Sequence, residues 1–218
     1  MPTSVKENYL KALYFLDRQD SRISITELSN KLEVSKPTAN HMVKSLQEKG
    51  WVIYQKYKPL QLTEKGRKAA AKVIRKHRLT EMFLYEIMDF GWEEVHEIAE
   101  QMEHIDSEKL FARMDEMLDH PSFDPHGSPI PDKNGKVVKQ QLPALIDIAS
   151  GETVKLIALA KSSTSLLHYL NQCSIELGVQ IKLIKVEPFD ESCQIRVGDK
   201  PPFMISRKVA ESLLVEVI

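Results

Sequence analysis

Cysteine and long apolar stretches are both scarce in this sequence of 218 residues, and each shortage argues against a class of protein. The two cysteines, Cys173 and Cys193, have no neighbours at metal-binding spacing, and their simplest state in a cytoplasmic chain is reduced. No apolar run approaches membrane-spanning length, and the N-terminus lacks the apolar stretch of a signal peptide. We therefore expect a cytoplasmic protein that contacts no membrane.

Charge is divided unevenly along the chain, although the formal net charge is only −1. Residues 1–80 contain 17 lysines and arginines against 7 aspartates and glutamates, whereas residues 81–135 contain 3 against 15. A basic segment suits a polyanion and an acidic segment suits cations. Solvated helix faces give the same pattern, so the charge division by itself does not decide the function.

The basic segment predicts three helices followed by a hairpin, which is the order of a winged helix-turn-helix. Apolar residues recur at helical intervals in the first helix, and the third helix has a proline in its first turn, where a missing N–H costs little. The predicted bounds are 4–18 for the first helix, N-caps at Thr26 and Ser35 for the next two, an end at Gly50, and strands over 51–54 and 60–62.

The third helix of this fold places its first turns in the major groove, where side chains reach base edges. Asn40 can pair with adenine, and Lys44 is placed for a phosphate. Tyr57 and its flanking lysines could contact the backbone beside the minor groove. A winged helix can also serve protein contacts alone, but the basic balance favours DNA. The predicted DNA-binding residues are Ser35, Lys36, Pro37, Thr38, Asn40, His41, Lys44, Lys56 and Lys58.

Six potential metal ligands follow in two groups, and each group has helical spacing. The first pair is four residues apart, and the other four lie at offsets of zero, four, seven and eight. At about 100° per residue, these four fall within roughly 100° of one helix face. Single histidines and glutamates on helices are mostly solvated, but two such faces in contact would converge on divalent cations. The candidates are His77, Glu81, His96, Glu100, Glu103 and His104.

The same cluster raises an alternative, a metal-dependent hydrolase or a di-metal enzyme. Residues His96 to Glu100 differ from the zinc-protease pattern HExxH only in the last residue, and Glu93 with His96 forms a Glu-x-x-His pair. The protease requires a histidine at position 100, and the di-iron bundle requires a second Glu-x-x-His that we do not find. We therefore expect no enzyme.

The remaining sequence predicts a mainly α protein with a small β domain. Thr63 opens a long helix that Gly91 stops, a helix over 93–105 follows, and Asp106 or Ser107 caps another. A proline-rich loop over 121–143 leads to the C-terminal part, which we interpret as a small SH3-like barrel. Its predicted strands are 154–160, 179–186, 193–197, 203–206 and 214–218, with one helix over 164–173.

Three segments, His77–Glu81, His96–His104 and Gly127–Pro131, resemble the diphtheria toxin repressor family of iron- and manganese-dependent regulators. The resemblance covers nearly the whole chain. It implies a winged helix-turn-helix domain (1–72), a metal-binding and dimerisation domain (73–140) and an SH3-like, ferrous-transport-A-like domain (141–218). It also implies a homodimeric repressor of metal-uptake genes that binds palindromic double-stranded operators and takes no small-molecule substrate.

The resemblance further assigns ligands to two separated ions per subunit. The family has a cysteine at position 100 in its iron-sensing branch and a glutamate in its manganese branch, so Glu100 implies Mn²⁺, with Fe²⁺ second. Asn8 takes the place of a ligand from the N-terminal helix, and Lys11 replaces a second carboxylate there. Glu7 could substitute only if the helix were rotated. The implied ancillary site is His77, Glu81 and His96, and the primary site is Glu100, Glu103, His104 and Asn8.

Aliphatic residues that follow the ligands leave two interpretations open. They form either a dimer face or part of an intramolecular core. The residues are Leu110, Met114, Met117 and Leu118.

Overall fold

The computed structural model describes residues 3–17, 23–56, 58–138 and 140–218, which form two compact units. The first unit contains Met1–Thr80, Glu97–Ser122 and Ile130–Val138. The second contains Glu81–His96, Phe123–Pro129 and Lys139–Ile218. Each unit is built around its own group of buried apolar side chains.

The N-terminal part of the first unit is a winged helix-turn-helix, which confirms the prediction. Its core joins apolar side chains of all three helices, including the fully buried Leu10, Leu28 and Leu46. The first helix is therefore an integral part of this N-terminal head. The elements are α1 (Thr3–Asp17), α2 (Ile25–Lys31), α3 (Lys36–Glu48) and an antiparallel pair, β1 (Val52–Ile53) with β2 (Gln61–Leu62).

Serine side chains cap both helices of the helix-turn-helix. The Ser24 hydroxyl accepts the N–H of Glu27 at 3.1 Å, and the Glu27 carboxylate accepts the N–H of Ser24 at 2.8 Å. This reciprocal capping box begins α2 one residue after Ser24, so the predicted N-cap at Thr26 is wrong. Ser35 caps α3 as predicted, because its hydroxyl accepts the N–H of Thr38 at 3.2 Å.

Three further helices follow, and two of them are shorter than predicted. The long helix ends at Met88, since Asp89 adopts a left-handed backbone with φ of 59° before Gly91 is reached. Ser107, rather than Asp106, caps the last helix of the group. None of the helices within the described ranges has the length and apolar character that a membrane crossing requires. The helices are α4 (Glu64–Met88), α5 (Val95–Met102) and α6 (Glu108–Met117).

The aliphatic residues around α6 do not share one environment. Met114 is buried, whereas Met117 is exposed over 48% of its surface. Leu110 and Leu118 are half-buried. Met114 therefore belongs to the intramolecular core, and Met117 remains accessible to a partner.

The C-terminal part of the second unit is a five-stranded antiparallel sheet with the strand order β6-β5-β4-β3-β7. It confirms the predicted small β domain, with strand ends that match the prediction or differ from it by one residue. The short helix α8 escaped prediction because four residues carry no readable periodicity. Cys193 is buried, Cys173 is half-buried, and both are free. The elements are β3 (Thr153–Leu159), α7 (Thr164–Cys173), β4 (Gln180–Val186), β5 (Cys193–Val197), β6 (Phe203–Ile205), α8 (Arg207–Ala210) and β7 (Leu213–Val217).

Candidate metal centre

The C-terminal end of α5 carries the candidate primary ligands. Glu100 lies within α5, while Glu103 and His104 lie in the turn that follows Met102. The predicted helix over 93–105 is therefore too long. The N–H of Glu103 still donates to the Ala99 carbonyl at 2.9 Å, so the helical register continues as far as Glu103. This register keeps Glu100 and Glu103 on one face, as their spacing predicts.

His77 of α4 lies against Glu103 in the first unit. Its Nδ1 is 2.7 Å from Oε2 of Glu103, and both side chains are buried. A carboxylate only accepts hydrogen bonds, so Nδ1 of His77 carries the proton in this contact. His77, Glu100 and Glu103 place one ligand atom each within 4.8 Å of one another. The structure thus brings a predicted ancillary ligand to two predicted primary ligands.

His104 is oriented by Glu7 of α1. The Nδ1 of His104 lies 2.6 Å from Oε2 of Glu7, so Nδ1–H donates to the carboxylate. The opposite nitrogen, Nε2, lies 3.6 Å from Oε1 of Glu103. Metal-binding histidines typically donate their second N–H to a carboxylate in this way. In this position Glu7 acts as an orienting partner of His104, and the expectation that it could replace Asn8 as a ligand only after rotation of α1 stays a prediction.

Lys11 of α1 lies between the two carboxylates of the primary cluster. Its Nζ is 2.5 Å from Glu100 and 2.8 and 2.9 Å from the two oxygens of Glu103. The Lys11 side chain is only 13% exposed, and that of Glu103 is fully buried. A buried carboxylate is stable only with a partner of opposite charge or with several hydrogen bonds. Lys11 and His77 together provide both for Glu103.

The protonation state of Glu103 follows from these contacts. Burial raises the pKa of this carboxyl, but the hydrogen bond from His77 and the positive charge of Lys11 lower it by more. The net pKa lies below the ordinary value for glutamate. Glu103 is therefore an ionised carboxylate at neutral pH.

Asn8 supplies an oxygen donor on the same helix. Among the described side chains, its Oδ1 is one of two buried polar atoms without a hydrogen-bond partner, the other being the Tyr9 hydroxyl. A buried amide oxygen without a partner costs about 1–3 kcal/mol, which a cation ligated there would offset. Asn8 lies between Glu7 and Lys11 on α1, and both neighbours contact the segment from Glu100 to His104. The donor set of two carboxylates, an imidazole and an amide oxygen fits a hard divalent cation.

The second unit holds the other two predicted ancillary ligands. The Nδ1 of His96 lies 3.1 Å from Oε1 of Glu81. Glu81 is buried, whereas 47% of the His96 side chain is exposed. His77 precedes Glu81 by four residues along α4 but belongs to the first unit. A shared site of His77 with this pair stays a prediction.

A third group of side chains was missed by the sequence reasoning. Glu81, Asp124 and His126 are all buried and place ligand-type atoms within 4.8 Å of one another. Asp124 accepts the backbone N–H groups of His126 and Ser128, both at 2.9 Å, and Nε2 of His126 donates to the Trp92 carbonyl. These bonds fix the loop, so we assign the group a structural role. Aspartate followed by proline and glycine is a turn signal, which the sequence does display.

The predicted DNA-binding residues lie at the surface of the head. Asn40 is half-buried, and the others are exposed. The Ser35 hydroxyl lies 2.8 Å from that of Thr38 in addition to capping α3, and its contact with DNA stays a prediction. Tyr57 lies outside the described residues. The exposed residues are Ser35, Lys36, Pro37, Thr38, His41, Lys44, Lys56 and Lys58.

Three family descriptions match successive parts of the chain. Residues 1–60 match the N-terminal DNA binding domain of iron dependent repressors. Residues 63–132 match the metal binding and dimerisation domain of the same proteins. Residues 144–217 match the FeoA domain.

Individual proteins agree with these matches. The iron-dependent repressor IdeR of Mycobacterium leprae is 32% identical over 158 residues, which are 69% of this chain and 69% of that protein. IdeR of Mycobacterium tuberculosis is 36% identical over 125 residues, which cover 57% of this chain and 54% of that protein. The chain thus aligns with about half the length of this relative. The structure of a manganese-dependent transcriptional repressor in complex with manganese covers 98% of this chain and 100% of its own, with 28% identity and a TM-score of 0.87.

Proposed function

We propose, because this chain belongs to the iron-dependent repressor family, that it is a manganese-responsive, DNA-binding transcriptional repressor. One observation carries the proposal. Residues of α1, which is built into the core of the reading head, meet the carboxylates and the imidazole at the end of α5. A ligand that changes this contact therefore changes the position of the head.

Glu100, Glu103, His104 and Asn8 would hold the primary ion. A bound Mn²⁺ would supply two positive charges and a preference for hard oxygen ligands in octahedral geometry. Glu100 offers an oxygen where a thiolate would favour softer metals, so manganese is the expected effector and Fe²⁺ the second choice. His77, Glu81 and His96 would form an ancillary site, which gives two ions per subunit.

Residues of α1 would convert metal ligation into a fixed position of the head. Asn8 carries its oxygen on a short side chain, so its approach to the Glu100–His104 segment fixes α1 closely. The buried Leu10 and Leu13 transmit this position to the remaining helices of the head. In a homodimer, two heads fixed in this way would match two successive major grooves of a palindromic operator. Differential binding of a few kcal/mol between two arrangements is enough for such a switch.

DNA is the partner that the head favours. The exposed residues of α3 and of the wing face solvent, and the first 80 residues carry a large excess of positive charge. In this proposal, the 1–72 segment would read DNA. The 73–140 segment would bind metal and dimerise, and the 141–218 segment would support the fold. We place the protein in the cytoplasm, as a regulator of metal-uptake genes without a small-molecule substrate.

A hydrolase or di-metal enzyme is disfavoured. Position 100 is glutamate, and Lys11 contacts the carboxylates at the site where a catalytic metal would need an open coordination position.

The test is a mobility shift with a library of genomic fragments, with and without Mn²⁺. Wild-type protein should retain a defined set of fragments only when manganese is present. Glu103→Ala should lose this response while its circular dichroism stays native, and Glu108→Ala, at an exposed position of α6, should behave like wild type. Fragment binding that is equal with and without manganese, or a full response in Glu103→Ala, would contradict the proposal.

A further inference from the structure

The ammonium group of Lys11 lies where the two primary carboxylates converge. Three carboxylate oxygens surround it, at 2.5 Å from Glu100 and at 2.8 and 2.9 Å from Glu103. These are distances of charge-assisted hydrogen bonds, so lone pairs of both carboxylates are directed at Nζ. The side chains of Glu100 and Glu103 thus already hold a cation, and that cation belongs to the chain.

Lys11 is well suited to be a competitor for the same oxygens. Its ammonium group is largely shielded from water, with 13% of the side chain exposed, and it is tethered to α1 at a high effective concentration. A divalent cation on the same oxygens would lie within a few ångströms of Nζ, and two cations at that distance repel strongly in a shielded site. Metal and lysine therefore cannot share the two carboxylates in this arrangement.

The Lys11 ammonium and a metal ion ligated by Asn8 would hold α1 in different ways. Lys11 reaches Glu100 and Glu103 through four methylene groups, whereas Asn8 presents its oxygen from a single methylene. A lysine stem has many rotamers and holds α1 loosely, while the short side chain allows little variation. Exchange of lysine for metal would thus replace a flexible link between α1 and the end of α5 with a rigid one.

We propose that Lys11 is a tethered counter-ion that occupies the primary site in the absence of metal, and that the divalent cation binds only by displacing it. This inference rests on the proposed metal-sensing function. Lys11 keeps Glu100 and Glu103 together without an ion, prevents their mutual repulsion and raises the metal concentration at which the site responds. Released from the carboxylates, the Lys11 ammonium must move into water.

The first test follows the reactivity of Lys11 in wild-type protein. Lysines are acetylated briefly with an N-hydroxysuccinimide ester, and the modified peptides are quantified by mass spectrometry with and without saturating Mn²⁺. Lys11 should react slowly without metal and several-fold faster with it, whereas Lys6, which has no ion pair within the described part of the chain, should not change. A bound ligand ordinarily lowers the reactivity of a lysine at its site, so a rise in the Lys11 rate would be specific to displacement. A Lys11 rate that is unchanged or lower with manganese would overturn the proposal.

The second test measures Mn²⁺ affinity by equilibrium dialysis in wild type, Lys11→Met and Lys6→Met. Methionine keeps most of the apolar stem and removes the charge. We expect Lys11→Met to bind manganese about tenfold more tightly, equivalent to about 1.4 kcal/mol, and to unfold at a lower temperature without metal. Lys6→Met controls for the loss of one charge from α1 and should match wild type.

The outcomes separate this inference from the function on which it rests. If wild type binds manganese and Lys11→Met binds it equally or more weakly, Lys11 is not a competitor, and the metal-sensing function stands. If neither protein binds manganese, the proposed function fails, and this inference fails with it.

Discussion

The carboxylate of Glu103 and the imidazole of His77 form one unit, with 2.7 Å between Oε2 and Nδ1. Glu103 is a candidate ligand of the primary site, and the same carboxylate fixes the tautomer of His77, a candidate ligand of the ancillary site. A change of Glu103 on metal binding would therefore alter the position of the His77 ring. If both ions bind as proposed, this hydrogen bond would couple the two sites.

This coupling predicts that His77→Ala weakens the primary site as well as the ancillary one. Loss of a side chain that supports a ligand typically reduces metal affinity by about 10- to 100-fold. In Mn²⁺ titrations by isothermal calorimetry, His77→Ala should therefore weaken both classes of site. Glu81→Gln is the matched control and should weaken only the ancillary class. A normal primary class in His77→Ala would show that Glu103 does not depend on its partner.

Glu7→Gln should reduce manganese affinity although Glu7 is not a ligand in this account. Its carboxylate holds Nδ1–H of His104 and thereby directs Nε2 towards Glu103. A neutral amide is a weaker acceptor and does not impose the tautomer, so we expect a loss of about tenfold in dialysis. Glu64→Gln, at an exposed position of α4, controls for the lost charge. An unchanged manganese affinity in Glu7→Gln would show that His104 does not require Glu7 as an orienting partner.

Glu100→Cys should change which metal the protein prefers. A thiolate favours softer ions, whereas the carboxylate suits Mn²⁺. DNA binding titrated separately with Mn²⁺, Fe²⁺ and Zn²⁺ should shift its half-maximal response towards iron and zinc in the variant. An identical order of the three metals in both proteins would mean that position 100 does not set the preference.

Helical periodicity explains how much of this site the sequence could predict. Glu100 and Glu103 share a face because they lie three residues apart in one helical register, which continues past the end of α5, and such spacing is visible in the sequence. The contacts of α1 with this face join residues about 90 positions apart, and nothing local encodes them. For this reason the sequence indicated Lys11 as the replacement of a ligand, while the structure presents it as the counter-ion of two candidate ligands.

The fold, too, was predictable where local sequence signals determine it and not where tertiary packing does. Capping residues such as Ser35 and strand runs such as Cys193–Val197 were predicted because their signals are local. The N-cap at Thr26 was wrong because Ser24 makes a better reciprocal bond with Glu27. The split of the α6 residues into buried Met114 and exposed Met117 depends on packing, which periodicity cannot supply.

Lys44→Ala should weaken binding to every DNA sequence by a similar factor. Lys44 is exposed on α3, beyond the first turn whose side chains would face the bases. Loss of one phosphate contact reduces the slope of log K against log salt by about 1. Fluorescence anisotropy at several salt concentrations measures this slope, with Lys200→Ala as a control in the second unit. An effect confined to one operator position would make Lys44 a base reader.

The central claim is that a divalent ion links α1 of the reading head to the end of α5. Anomalous diffraction from a crystal of the wild-type protein grown with manganese tests it most directly. The account predicts a manganese peak within coordination distance of Glu100, Glu103, His104 and the Oδ1 of Asn8, with the ammonium of Lys11 withdrawn. A peak elsewhere, or one that leaves Lys11 bound to both carboxylates, would contradict it.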